Sequence, residues 1–115
     1  MVHQGSCHCG QITFTYEGDV KQVMECNCSH CRRKGYLLTF GPRQALKLDA
    51  PESALATYTF NKHVIQHQFC PRCGCAPFAF GKDKNGHDTV AVNVRCLPDV
   101  ELGTLQIQPV DGRSF

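Results

Sequence analysis

Three thiols fall within six residues at Cys26-Asn27-Cys28-Ser29-His30-Cys31, and a basic run, Arg32-Arg33-Lys34, follows directly. Thiolates this close together can wrap one zinc ion, and where no fourth protein group closes the shell, one coordination position is left for water or a ligand. A soft ion in that state takes up a further thiol, which loses its proton and becomes a nucleophile at neutral pH. The thiolate can then add to a small aldehyde, with Arg32, Arg33 or Lys62 binding carboxylates of the thiol compound. Plainer readings stand beside this one. A basic run is commonly a solvated face, and His30, His8, Cys75, Cys96 or another histidine would close the trio into a purely structural site.

Two further pairs, Cys7-His8-Cys9-Gly10 and Cys70-Pro71-Arg72-Cys73-Gly74, supply two ligands each and together complete a four-sulfur site. Such a site joins residue 7 to residue 73. Closing so long a loop restricts the unfolded chain, and zinc binding of about 10 kcal/mol or more becomes coupled to folding. The expectation is therefore two zinc ions per chain: a closed one on Cys7, Cys9, Cys70 and Cys73, and an open one on Cys26, Cys28 and Cys31.

Nine cysteines in 115 residues is a high count. A disulfide framework fits poorly with an odd number and with C-x-C pairs, and the spacings do not match the ferredoxin runs of iron–sulfur proteins. Cys75 and Cys96 stand outside any ligand spacing and read as small buried hydrophobes. The formal charge of +2 also changes under the metal reading. Seven thiolates subtract seven charges and two zinc ions add four, leaving −1 and no overall field to attract a phosphate backbone, so no nucleic-acid partner is expected. No long apolar run suggests a membrane span, and the first motif begins almost at the initiator without a secretory leader before it. A cytoplasmic location is expected, where thiols stay reduced.

The elements that must position these sulfurs read as short strands. Ile12, Phe14 and Tyr16 alternate with polar residues over Gln11–Tyr16, so the first pair sits at the mouth of a strand. Val20–Glu25 is too brief to classify. Ser29 as N-cap and Gly35 as terminator bracket a short helical turn near residues 29–35. Further strands are predicted over 36–40, stopped by Gly41-Pro42, and over 45–48 and 55–60. A turn at Asn61-Lys62 leads to a strand over 63–69 that places His63 and His67 on one exposed or half-buried face. Strands over 76–80, 89–94 and 104–110 complete a single all-β domain spanning residues 1–115, with no internal repeat.

The three ordered motifs resemble the glutathione-dependent formaldehyde-activating enzyme family, which includes the domain of centromere protein V. They are Gly5-Ser6-Cys7-His8-Cys9-Gly10, then Cys26 to Gly35, then Phe69-Cys70-Pro71-Arg72-Cys73-Gly74 with Pro77 shortly after, and the likeness extends to Asp111-Gly112-Arg113-Ser114. The resemblance implies stacked, twisted antiparallel sheets crosslinked by zinc, with the two ligand sets just named. It also implies glutathione and a small aldehyde as partners, and condensation of formaldehyde with glutathione to S-(hydroxymethyl)glutathione, classed in reverse as a carbon–sulfur lyase. Metal ligands carry over by residue. The stretch Tyr58 to His67 looks like a distinct subgroup, so the substrate is not carried with them. The centromere relative suggests the alternative of a non-catalytic module with two structural zincs and a protein partner.

Overall fold

A computed structural model describes residues 1–114. Among the described residues ten strands form: β1 (Val2–Ser6), β2 (Thr13–Glu17), β3 (Gln22–Cys26), β4 (Leu38–Pro42), β5 (Leu46–Leu48), β6 (Ala56–Tyr58), β7 (Gln66–Phe69), β8 (Phe78–Lys82), β9 (Asp88–Asn93) and β10 (Gln106–Val110). The one α-helix among the described residues is α1 (Ser29–Lys34), and short 3₁₀ turns join several strands. No helix among them is long and apolar enough to cross a membrane.

The strands lie in two sheets. A three-stranded antiparallel sheet runs β1-β2-β5, and a seven-stranded sheet runs β10-β3-β4-β9-β8-β7-β6. The larger sheet corrects the all-antiparallel expectation, because β10 pairs parallel with β3, from Gln106 against Gln22 to Val110 against Cys26. β1 is also new. Its short mixed sequence carries no strong alternation, and pairing with β2 from Val2 against Glu17 to Ser6 against Thr13 makes it a strand.

One core joins the sheets. Phe14, Tyr16 and Leu46 come from the small sheet and Val23, Phe78, Val90 and Val92 from the large one, with Ile12, Val94 and Leu97 filling the ends. Phe14 meets Phe78 edge to face, ring centroids 5.2 Å apart, an arrangement that adds a quadrupole attraction to the buried area. The alternation of Ile12, Phe14 and Tyr16 was legible because β2 has one buried face.

The other face of the large sheet follows from register. Tyr58, His67, Ala79, Ala91 and Phe40 stand opposite one another on β6, β7, β8, β9 and β4 and form a continuous cross-strand row. Since successive residues of a strand face opposite ways, this row points away from Val90, Val92 and Phe78. On the same side a second, smaller cluster forms from Cys31, Tyr36 and Ala76, packed with Cys26, Cys28, Leu38 and Phe69.

Several boundaries move. β4 continues through Gly41-Pro42, because Gly41 pairs with Val90 and Pro42 with Thr89; β4 stays paired along this length despite the missing proline N–H. The strands predicted over 55–60 and 63–69 shrink to β6 and β7, since Asn61 and His63 both adopt φ of 57° and turn the chain. His63 is therefore not on a strand face with His67. It bonds Thr59 Oγ1 at 2.9 Å within the turn, whereas His67 is buried on β7.

Phe14 is nearly fully enclosed, so replacing it with alanine leaves a cavity that the surrounding strands cannot fill. Phe14→Ala is expected to lower unfolding free energy by about 3–5 kcal/mol, read from chemical denaturation of the two proteins under identical conditions.

Candidate metal centre

The chain brings both sets of sulfurs together. Donor atoms of Cys7, Cys9, Cys70 and Cys73 lie within 4.8 Å of one another, and so do those of Cys26, Cys28 and Cys31. Within the quartet, Cys7 Sγ is 3.7 Å from Cys9 Sγ, which is 3.6 Å from Cys70 Sγ. A disulfide holds its sulfurs at about 2.05 Å. Four sulfurs bonded to one zinc at about 2.3 Å in a tetrahedron lie about 3.8 Å apart. The quartet thus has the spacing of a zinc shell and not of a cystine.

Local structure explains why these sulfurs converge. The Ile12 amide donates to Cys7 Sγ at 3.3 Å and the Cys73 amide to Cys70 Sγ at 3.5 Å. Amides aimed at sulfur favour the thiolate, the form that binds metal. Amide bonds from Cys75 and Cys9 pull the Cys73 thiol down to about 5. In the knuckle itself, the Gly74 amide donates to the Cys70 carbonyl at 2.8 Å with φ of 81°, a left-handed turn that glycine adopts without cost. Cys7 and Cys70 belong to the main core, so a metal here would anchor both sheets.

The trio is built differently. Cys26 ends β3, Cys28 precedes α1 and Cys31 lies in its first turn. Ser29 does not cap this helix. Cys28 does, its sulfur accepting from the Cys31 amide at 3.3 Å, because the helix begins one residue earlier than the Ser29 reading assumed. The terminator is Gly35 as expected, with φ of 72°. Burial works to raise the Cys28 thiol, but amides of Cys31 and His30 and the neighbouring thiols outweigh it and hold it below its usual value. Burial drives Cys31 the other way, as one sulfur of a crowded set must be when all three cannot ionise without a cation.

Among the described residues, no fourth histidine, cysteine, aspartate or glutamate donor joins the trio. His8, His30, Cys75 and Cys96 are all outside that group, and so are His63 and His67. Cys75 and Cys96 are half-buried; burial, with Cys75, Cys7 and Cys73 nearby, pushes the Cys96 thiol up to about 11. Both cysteine groups therefore have a donor set fit to hold a metal ion such as zinc, one with four protein sulfurs and one with three.

The cations expected to serve the trio are dispersed. Arg33 folds back, donating to the Ser29 carbonyl at 2.8 Å, and Lys34 sits 5.7 Å over the Phe69 ring. Arg32 is exposed beside them, and Lys62 is exposed on the turn between β6 and β7.

Two features near the trio had no clear sequence signal. The first is a clamp from the C-terminal segment. Asn27 donates from its backbone to the Val110 carbonyl and from its side chain to Asp111 Oδ1, while its own side-chain oxygen accepts from the Arg113 amide. Between them, Gly112 lies so close that a Cβ there would collide with Cys26 Sγ. Only the parallel register of β10 beside β3 brings these segments together.

The second is a cluster of rings. His30 lies 4.3 Å from His67, centroid to centroid, and 5.1–5.6 Å from Phe60, Tyr58 and Tyr36. The Nδ1 atoms of both histidines are buried without a hydrogen-bond partner. Burial first, then His30 and Lys34, push His67 down to about 4; burial and Lys34 also lower His30. Both imidazoles are neutral at pH 7. The sequence placed His67 on a predicted strand over 63–69, but its pairing with His30 needs α1 laid against β7.

Residues 2–110 match the sequence model of the family described as glutathione-dependent formaldehyde-activating enzyme. A crystal structure of a Rhodobacter sphaeroides protein superposes with a TM-score of 0.74, covering 91% of this chain and 99% of that one at 26% identity.

Two outcomes follow from this geometry. Gly112→Ala drives a methyl into Cys26 Sγ, so it is expected to weaken metal retention at the trio by about tenfold while leaving the quartet unchanged, a magnitude typical of disturbed ligand surroundings; stepwise chelator competition on metal-loaded protein reads each site. The second concerns acid. Folded His67 titrates near 4 against an ordinary value of 6.5, so between these limits the unfolded chain binds a proton that the folded one refuses. Its contribution to stability is complete above about 6.5 and is lost as pH falls toward 4. The melting temperature of wild type, compared with that of His67→Phe, is expected to fall progressively as pH is lowered from 7 to 5.

Proposed function

Because this chain belongs to the glutathione-dependent formaldehyde-activating enzyme family, we propose that it joins glutathione, or a similar small thiol, to formaldehyde or another small aldehyde at Cys26, Cys28 and Cys31, and catalyses the reverse carbon–sulfur cleavage. The observation that supports this most is the unequal sulfur count. Seven cysteines divide into four and three, and no fourth donor among the described residues completes the smaller set.

Zinc bound at the trio would supply Lewis acidity that favours the ionised form of an incoming thiol. The chain's own residues do the rest. The amides of Cys28 and Cys31, directed at the sulfurs of Cys26 and Cys28, hold these ligands in place, and those around Cys28 keep its thiol below the usual value. Arg32, exposed at the end of the helix, is the cation best placed to receive a carboxylate of the thiol compound; Arg33 and Lys62 can contribute after leaving their present positions. The Gly112 backbone and the ring of Tyr36 pack against the trio and limit water around it. In the reaction a carbon–sulfur bond forms, the carbonyl π bond breaks, and the thiol proton ends on the former carbonyl oxygen.

Under this reading, purified protein carries two equivalents of zinc and binds glutathione. Cys28→Ser is expected to keep the fold, seen as an unchanged far-ultraviolet dichroism spectrum, and to lose one zinc and at least about tenfold in glutathione affinity by calorimetry. Normal glutathione binding by this variant would overturn the assignment.

A further inference from the structure

The His30–His67 pair is costly as it stands. A buried donor or acceptor without a partner is destabilising, since it gives up its hydrogen bond to water and gains none, and here two such atoms sit in adjacent rings. His67 is only 8% exposed. The rings touch the trio's own packing cluster, because Tyr36 stacks on His67, packs with Cys31 and is shared by both groups. A polar group of a ligand reaching this cluster from the trio would supply a missing partner.

On the side of His67 away from the helix, the sheet surface is apolar. Ala79 is its cross-strand partner on β8, Ala91 stands beyond on β9 and Phe40 beyond that on β4. A groove of about 420 Å³ opens here, with Phe40, Ile65, Ala79 and Ala91 as its apolar lining and Lys82, Asp83 and Thr89 also lining it. Its rim is unprotected, with Phe40 51% and Ile65 52% exposed. A volume of this size suits a ligand group of several heavy atoms. The single carbon of formaldehyde would leave it empty.

We infer that the trio, the His30–His67 pair and this groove form one extended site, whose preferred substrate is the hemithioacetal of glutathione with an aldehyde bearing an apolar alkyl or aryl substituent. The inference rests on the glutathione reading above and narrows its aldehyde. In the adduct the thiol sulfur is bonded to the former carbonyl carbon, and the oxygen carries the thiol proton as a hydroxyl. That hydroxyl bonds the partnerless Nδ1 atoms of the two imidazoles once Tyr58 and Phe60 swing aside. Tyr58 is half exposed on the edge strand β6, and Phe60 leads into the turn at Asn61–His63, so these are the rings with least holding them. The substituent then lies along Ala79 and Ala91 toward Phe40, where its methylenes leave water.

The test uses zinc-loaded full-length protein titrated with glutathione alone, with glutathione pre-equilibrated with formaldehyde, and with glutathione pre-equilibrated with hexanal. The hexanal adduct is expected to bind at least about tenfold tighter than the hydroxymethyl adduct, since a few buried methylenes suffice for that ratio. Ile65→Asp, outside every strand, is expected to abolish the preference and leave binding of glutathione unchanged. His67→Phe keeps a ring but removes both nitrogens, and is expected to weaken both adducts and not glutathione. Imidazole ¹⁵N resonances of His30 and His67 should shift with the adducts and not with the free thiol. Equal affinity for the two adducts, or an Ile65→Asp protein that retains the preference, overturns the inference while the glutathione reading stands. Failure of glutathione itself to bind overturns both. Sedimentation showing that the groove face is buried in a dimer, with the preference indifferent to Ile65→Asp, assigns the face to a second copy and likewise overturns it.

Discussion

Cysteines 61 residues apart in sequence meet sulfur to sulfur at 3.6 Å, and the placement of everything else depends on that convergence. Cys7 and Cys9 leave the small sheet, Cys70 and Cys73 follow β7 of the large one, and Cys7 and Cys70 sit in the shared core. A domain of this size buries a limited fraction of its surface, so a cation neutralising four crowded thiolates contributes strongly to holding the sheets together. Without one, like charges at such distances cannot coexist, and the sulfurs would stay protonated or separate.

The trio depends on that frame and shares none of its symmetry. Its sulfurs are carried on the end of β3 and the first turn of a six-residue helix, too short to be stable on its own. The helix is held by what it packs against: His30 on His67, Cys31 with Tyr36 and Ala76, and a capping bond from the Cys31 amide to Cys28 sulfur. The same packing that secures the helix sets two imidazoles against Tyr36, the ring that packs with Cys31. Fold and site are here one set of contacts, which is why polar atoms left unpartnered there suggest a ligand and not a defect.

Glycine and the C-terminal segment complete the enclosure. A backbone without a Cβ at residue 112 lets the chain lie against Cys26, and Asn27 ties both sides with three hydrogen bonds. Residues more than eighty positions apart thus share one wall of the site. Parallel pairing of β10 with β3 is the means, and a parallel pair needs a long crossover, here most of the chain.

The sequence by itself determined the two groups of sulfurs and the β character, because ligand spacing within a motif and alternation along a strand are local properties. Cys26, Cys28 and Cys31 can meet around one centre whatever surrounds them, and Ile12, Phe14 and Tyr16 alternate because one face of β2 is covered. The tertiary structure alone decided that β1 is a strand, that β10 runs parallel to β3, that His67 is buried and His63 is not, and that Gly112 closes on Cys26. Each of these depends on which segment lies beside which, and pairing across the chain is set by the packing of the whole core.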